Sequence, residues 1–327
     1  MKEKEFPRPK VLVSRCLEFD NVRYDGKVIP SKIVKDLEPY VDYIKVCPEV
    51  EIGLGIPRDP IRIVKTDGEY KLMQPKTNRD VTKEMDEFTD KFISDLPEVD
   101  GFIFKSGSPT IGIRNIKVYS GIKDAPVIEK GSGFFANKVL EKHPGYPIEE
   151  DDRLRNDKIR HDFLTYLFTF TQFRRLAKDM SFPDLKKFHS QNRFLFSSYN
   201  EEIFNELDSI IDGYSNESSV NSLYSGYEEL LKKLFTYHPS SQSYISVATK
   251  LFSNFSETVP DNEKEHFFHI LKKYENNLIG IQGLLEVLQL YTMRYDTNNI
   301  IDDKLFTPYP PELQSAIDEK RDKDYWK

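Results

Sequence analysis

The chain reads as an α/β domain built on a mostly parallel, Rossmann-like sheet, followed by an all-α helical bundle. Short apolar runs rich in Val, Ile and Phe recur through the first half, and amphipathic helical spacings lie between them. Beyond residue 147 the apolar spacing becomes helical and aromatic. An alternation of strands and helices implies a parallel sheet covered by helices, and the later pattern implies helix packed on helix.

Residues 10–14 (KVLVS), 43–46 (YIKV) and 101–105 (GFIFK) are the three apolar runs. Their brevity and composition suit buried parallel strands. Between the first two, residues 31–37 form a short helix with Ser31 as N-cap behind Pro30. Ahead of the third, Val81, Met85, Phe88, Phe92 and Leu96 step by three and four, which predicts an amphipathic helix over 80–96. A helix over 133–140 closes the unit. His143-Pro144-Gly145-Tyr146-Pro147 is a turn-rich break before a run of acids, and sets the boundary between residues 1–147 and 148–327. In the second part Phe163, Leu167, Phe170 and Phe173 share a face, as do Leu223, Tyr227, Leu230, Leu231 and Leu234. Ile279, Leu284, Leu285, Leu288 and Tyr291 repeat the pattern. The Ser/Asn-rich stretch 213–222 is expected as a loop, and the prolines of 308–311 are expected to end the last long helical region.

A length of 327 residues suggests two domains. With 38% hydrophobic and 31% charged residues, a disordered chain is excluded. No apolar run approaches the ~20 residues that span a bilayer. Residues 1–10 are charged and proline-bearing, unlike a secretion signal. Two cysteines make no disulfide framework, which fits a reducing, cytoplasmic setting. A net charge of −7 is wrong for a general polyanion binder, so any nucleic-acid contact needs a local basic face. Residues 153–193 offer one, in which Arg174, Arg175, Lys186, Lys187 and Arg193 interleave with Phe163, Phe168, Phe173 and Phe188. Such a face suits sequence-independent phosphate contact with RNA; the alternative is an ordinary solvated helix surface.

Chemistry concentrates at the strand ends. Cys16 lies just past the first strand, Cys47 directly follows the second, and the small-residue loop 106–112 follows the third. Sites in open α/β sheets form at these carboxyl ends, so three loops should converge and two of them bring a cysteine. The cysteine spacing fits no zinc ribbon. Two legs of a cluster and two buried thiols both remain open.

Several motifs resemble the thiouracil desulfurase family. They are Val13-Ser14-Arg15-Cys16-Leu17, Val22-Arg23-Tyr24-Asp25-Gly26, Val46-Cys47-Pro48-Glu49-Val50 and the run Gly53-Leu54-Gly55-Ile56-Pro57-Arg58-Asp59-Pro60. Phe104-Lys105-Ser106-Gly107-Ser108-Pro109 and Lys117-Val118-Tyr119 continue the likeness. The second half resembles the helical domain fused to that family in tRNA 4-thiouridine desulfidases, through Leu185-Lys186-Lys187-Phe188-His189 and Pro308-Tyr309-Pro310-Pro311-Glu312-Leu313.

The resemblance implies a 4Fe–4S cluster held by three cysteines. Its open iron takes the sulfur of a thiocarbonyl, a soft metal meeting a soft ligand. By position, Cys16 and Cys47 become metal ligands, and Glu49 and Ser108 become catalytic residues. Arg23, Tyr24, Asp25 and Arg58 become the substrate pocket, and a thiolated nucleobase or tRNA becomes the partner. The family's third cysteine belongs to a Ser-Pro-Ser-Cys-Gly loop. Here the loop reads Ser108-Pro109-Thr110-Ile111-Gly112, so Ile111 takes that place and no other cysteine is available. Thr110 or Ser108 could offer only a hydroxyl, a poor substitute for a thiolate. In the helical half, His189-Ser190-Gln191-Asn192-Arg193 stands where His-x-x-His-Lys is expected. The implied function is conversion of thiouracil or 4-thiouridine, free or in tRNA, to uracil or uridine if a cluster is held. The alternative is a non-catalytic RNA- or ligand-binding relative without one. A third reading uses Cys47 as nucleophile and Glu49 as base.

Overall fold

The computed structural model describes residues 5–215, 219–296 and 299–314. Contacts divide the chain into two units, one up to Leu167 joined by residues from Pro310 on, the other Phe168–Tyr309.

The first unit contains β1 (Lys10–Ser14), α1 (Lys32–Leu37), β2 (Asp42–Val46), α2 (Pro48–Glu51), β3 (Arg62–Thr66), β4 (Glu69–Gln74) and β5 (Arg79–Asp80). It continues with α3 (Thr82–Asp95), β6 (Gly101–Phe104), β7 (Ile116–Tyr119), β8 (Val127–Gly131), α4 (Phe134–Lys142) and β9 (Ile148–Glu150). One sheet has the order β2-β1-β6-β9 and is parallel throughout. Its central strand β1 presents Val11, Leu12 and Val13 with no exposure, the two-sided burial expected when helices cover both faces. Ser31 occupies the N-cap of α1, yet its hydroxyl makes no cap bond. β9 is a strand that the sequence reading did not see. It pairs with β6 and follows directly on the His-Pro-Gly-Tyr-Pro turn.

A second, mixed sheet of order β5-β4-β3-β7-β8 was also not anticipated. Asp67 and Gly68, both at positive φ, close the β3–β4 hairpin between paired Thr66 and Glu69. Helix α3 joins the two cores. Met85 packs with Ile63, Leu72 and Val118 of the second sheet, while Phe92 packs against the cluster of Phe102, Phe104 and Phe135, and Phe88 reaches both.

Helix α5 (Asp157–Asp179) carries the division between the units. The second unit is helical, with α6 (Phe182–Gln191), α7 (Arg193–Tyr199), α8 (Glu201–Asp212) and α9 (Val220–Leu234). It ends with α10 (Ser241–Ser253), α11 (Asp261–Glu275) and α12 (Ile281–Tyr295). Asn200 caps α8 through Ile203 N at 2.9 Å, and Ser240 with Ser243 forms a capping box on α10. Its core is aromatic, with Tyr227 stacked on Phe173 at 5.4 Å between ring centroids. Ile279 falls before Gly280, the N-cap of α12, and so outside the helix. Within the expected loop 213–222, residues 216–218 lie outside the described residues, and α9 already begins at Val220.

Candidate functional site

The carboxyl ends of β1, β2 and β6 open onto one cavity of about 300 Å³. Cys16 reaches it from the turn after β1, where Leu17 N bonds Ser14 O at 3.0 Å. Cys47 reaches it as the N-cap of α2, whose first helical residue is Pro48. Ser108 and Ile111 come from the loop after β6. That loop is held from behind by α4. Phe134 N bonds Pro109 O at 3.2 Å, Ala136 N bonds Thr110 O at 3.0 Å, and Gly133 N bonds Gly112 O at 2.8 Å. A Cβ on Gly133 would lie 2.4 Å from the Thr110 backbone, so only glycine permits this approach.

Glu49 is the polar hub. Thr110 Oγ1 donates to its Oε1 at 2.6 Å, and Ser108 Oγ at 3.3 Å. Its Oε2 lies 3.8 Å from Arg58 Nη2 and 3.5 Å from Cys47 Sγ. Arg58 is anchored by Val22 O at 2.8 Å and Gly55 O at 3.3 Å, and its Nη2 approaches Cys47 Sγ at 4.0 Å. Burial pushes the Cys47 thiol up to about 11, with the Glu49 charge adding to the shift. Burial, then the neighbouring Cys47 and Glu49, pushes Cys16 up to about 12, against the opposing charge of Lys105. Both are therefore neutral thiols near pH 7.

Cys16, Cys47, Glu49, Ser108, Arg23, Tyr24, Arg58 and Ile111 all line the cavity. Asp25 is not on its wall. It pairs with Arg23 at 3.5 Å in a turn closed by Gly26 N on Arg23 O, and Arg23 lies 4.8 Å over the Tyr24 ring. The sequence reading missed Lys105 and Asp151. Lys105 lines the cavity, while its Nζ meets Asp151 Oδ1 at 3.3 Å, and Asp151 also accepts Ser106 N at 2.8 Å. Asp151 follows β9, so the missed strand hid the link.

In the helical unit Arg175, Lys186, Lys187 and Arg193 are exposed, and Arg174 is half-buried 5.8 Å from the Phe170 ring. His189 is buried. It shares hydrogen bonds of 2.9 Å with Tyr227 OH and with Asp208 Oδ1, and stacks on Phe204.

The donor set does not fit the cluster that the motifs imply. Ile111 is 4% exposed and belongs to the apolar cluster of Leu12, Phe104 and Phe135. The nearby Thr110 hydroxyl is committed to Glu49. Among the described residues no group of three or more His, Cys, Asp or Glu is placed to hold a metal ion. Two thiols remain where three are needed.

Comparison with known proteins agrees with this anatomy. Residues 11–151 match the family model described as 2-thiouracil desulfurase, and residues 193–310 match one described as a protein of unknown function, DUF1722. The uncharacterized protein YbbK of Bacillus subtilis (strain 168) is 29% identical over 153 residues, covering 45% of this chain and 98% of its own. A solved structure titled 4Fe-4S-dependent thiouracil desulfidase TudS is 28% identical, with a TM-score of 0.34, over 45% of this chain and 94% of that one. Among the described residues no helix is long and apolar enough to cross a membrane. Residues 11–151 of this chain are thus similar to the 2-thiouracil desulfurase family, and residues 193–310 to the DUF1722 domain.

Proposed function

We propose that the cavity is a recognition pocket for a thiolated uracil, and that in this chain it binds the base without a complete iron–sulfur centre. The single observation that carries this reading is Ile111, which stands on the cavity wall at the third ligand position with no donor atom, while the rest of the pocket stays assembled. The walls suit a flat, partly soft ligand. Val22, Pro48 and Ile61 supply apolar surface, two neutral thiols supply polarisable sulfur, and Ser108, Glu49 and Arg58 supply the convergent polar groups. Glu49 and Ser108 orient the base in this account, and Arg58 fixes Glu49 and the 22–24 turn. The exposed cations Arg175, Lys186, Lys187 and Arg193, with Arg174, are assigned to RNA phosphates.

Sulfur removal is the second reading, favoured by the presence of Cys16 and Cys47 in one cavity with Glu49 and Ser108. The nucleophile reading fits poorly, because a thiol pushed to about 11 holds little thiolate near pH 7. Titration of the full chain with 2-thiouracil and with uracil, followed by chromatography of the recovered base, tests the proposal. Binding that favours the thio-base, with the base recovered unchanged, supports it. Uracil formed in multiple turnovers contradicts it in favour of the second reading.

A further inference from the structure

A second hollow, about 610 Å³, adjoins the first and shares Pro60, Ile61, Gly107 and Pro109 with it. It lies against the second sheet, where Arg62 opens β3 and Lys117 belongs to β7. Ile63 pairs with Val118 in parallel register. One residue back in that register Arg62 stands beside Lys117, and alternation turns both side chains to the same face. Like charges set side by side on one face repel. Among the described residues, neither has a carboxylate within 4.0 Å. Arg62 lies 4.4 Å over the Tyr119 ring, which holds the guanidinium in place without consuming its hydrogen-bond donors. The fold thus keeps an unmatched cation pair in position, and a bound anion would relieve its repulsion.

The surroundings of the pair define the kind of anion. Pro60, Ile61, Pro75 and Pro109 give the hollow apolar walls. Asp59 lines it too, and neutralises Lys76 at 3.1 Å. Two cations therefore stand beside a carboxylate, on a chain whose net charge is −7. That field disfavours a strand of closely spaced phosphates. A compact inorganic ion would leave the apolar walls uncovered. An acidic peptide meets both demands. Its carboxylates suit the arginine fork and the lysine point charge, and its apolar side chains suit the proline rings. Gly107, at φ +72° with nothing within 4 Å of the place a Cβ would take, leaves the rim open to a peptide backbone.

We propose that this groove docks an acidic segment of a partner protein. One or two carboxylates of the segment engage Arg62 and Lys117, while flanking apolar residues lie against Pro60, Pro75 and Pro109. Because the hollow shares its rim with the first cavity, the docked partner stands beside that cavity's mouth. The proposal does not depend on what the first cavity holds.

An array of capped octapeptides, probed with the full chain, tests this. Every peptide carries leucine and proline, and the remaining positions carry glutamate, glutamine or lysine. An oligouridylate and inorganic phosphate complete the set. Glutamate peptides should bind at least about tenfold more tightly than their glutamine counterparts, the value of one charge-assisted contact, and should weaken as salt rises. Arg62→Gln and Lys117→Gln, each checked for a cooperative melt, should each weaken the glutamate peptides about tenfold and leave the glutamine peptides unchanged. Lys117 is exposed, so Lys117→Glu should fold and should move the preference toward lysine peptides. Failure of every peptide to bind overturns the proposal, as does binding that ignores glutamate or a glutamate preference that survives in both glutamine variants. Oligouridylate binding that exceeds the best peptide and is lost in the variants overturns it in favour of a nucleic acid. Phosphate binding that matches the best peptide overturns it in favour of a small-anion seat.

Discussion

Thr110 donates its hydroxyl to Glu49 Oε1 at 2.6 Å, although Thr110 comes from the loop after β6 and Glu49 from α2 after β2. This bond ties the β6 loop to the first turn of α2, and it sets how the loop presents its next residue. With Thr110 engaged and α4 bonded to the loop backbone, Ile111 faces Phe104 and Phe135. Loop geometry and the missing thiolate are thus parts of one arrangement.

Removing that bond should loosen the site. Thr110→Val leaves Glu49 with a 3.3 Å contact from Ser108 and its longer approach to Arg58. The expected loss of stability is about 1–3 kcal/mol, the range for a buried group deprived of a partner. Thr110→Ser should restore most of it. Urea denaturation of the three proteins measures the difference.

Ile111 should behave as a core residue. Ile111→Ala is expected to cost about 2–4 kcal/mol, and Ile111→Val about 1 kcal/mol, as for other buried aliphatic truncations. Equal stability of all three by chemical denaturation would show that the side chain is not packed as described.

The two thiols make an alkaline signature. Their folded values, about 12 for Cys16 and about 11 for Cys47, stand above the ordinary value of 9.0. The folded state holds these protons more tightly than the unfolded chain does. Their stabilising contribution is therefore fully present below pH 9, and is lost as the pH rises through about 11 to 12. Alkylation by iodoacetamide should be slow at pH 7 and rise about tenfold per pH unit toward pH 10. Rapid modification of Cys47 at pH 7 would contradict the buried, neutral thiol.

Much of this site was legible in the sequence. The runs 10–14, 43–46 and 101–105 announced three parallel strands, and strand-end logic alone brought Cys16, Cys47 and the Ser108 loop together. The second sheet was harder to see, because β5 is two residues long and β8 is largely exposed. Yet Asp67-Gly68 between alternating runs is a hairpin signal that local reading could have used. β9 was hidden because its Ile148-Glu149-Glu150 looks like a solvated acidic run. Those acids are buried for a reason no spacing reveals: Glu150 accepts Ile113 N at 2.9 Å, and Glu149 meets Arg153 at 2.9 Å. His189, read against a missing histidine partner, found Tyr227 and Asp208 instead.

Acid should weaken both units through buried histidines. Burial lowers His161 to about 4, and burial also lowers His189 against the pull of Asp208. A depressed folded value means that the stabilisation is present above the ordinary 6.5 and is lost as the pH falls toward the folded value. His161→Gln should flatten this acid loss by on the order of 2 kcal/mol between pH 7 and 4. Denaturant midpoints at pH 7, 5.5 and 4 provide the comparison.

The pocket lacks the ligand set for a 4Fe–4S cluster because Ile111, on its wall at the third ligand position, carries no donor atom. Iron and acid-labile sulfide, measured per chain after anaerobic reconstitution and desalting, test it most directly in wild type and Ile111→Cys. Wild type is expected to retain no cluster's complement, and Ile111→Cys about four irons and about four sulfides. Retention of about four irons by the wild-type chain would contradict it.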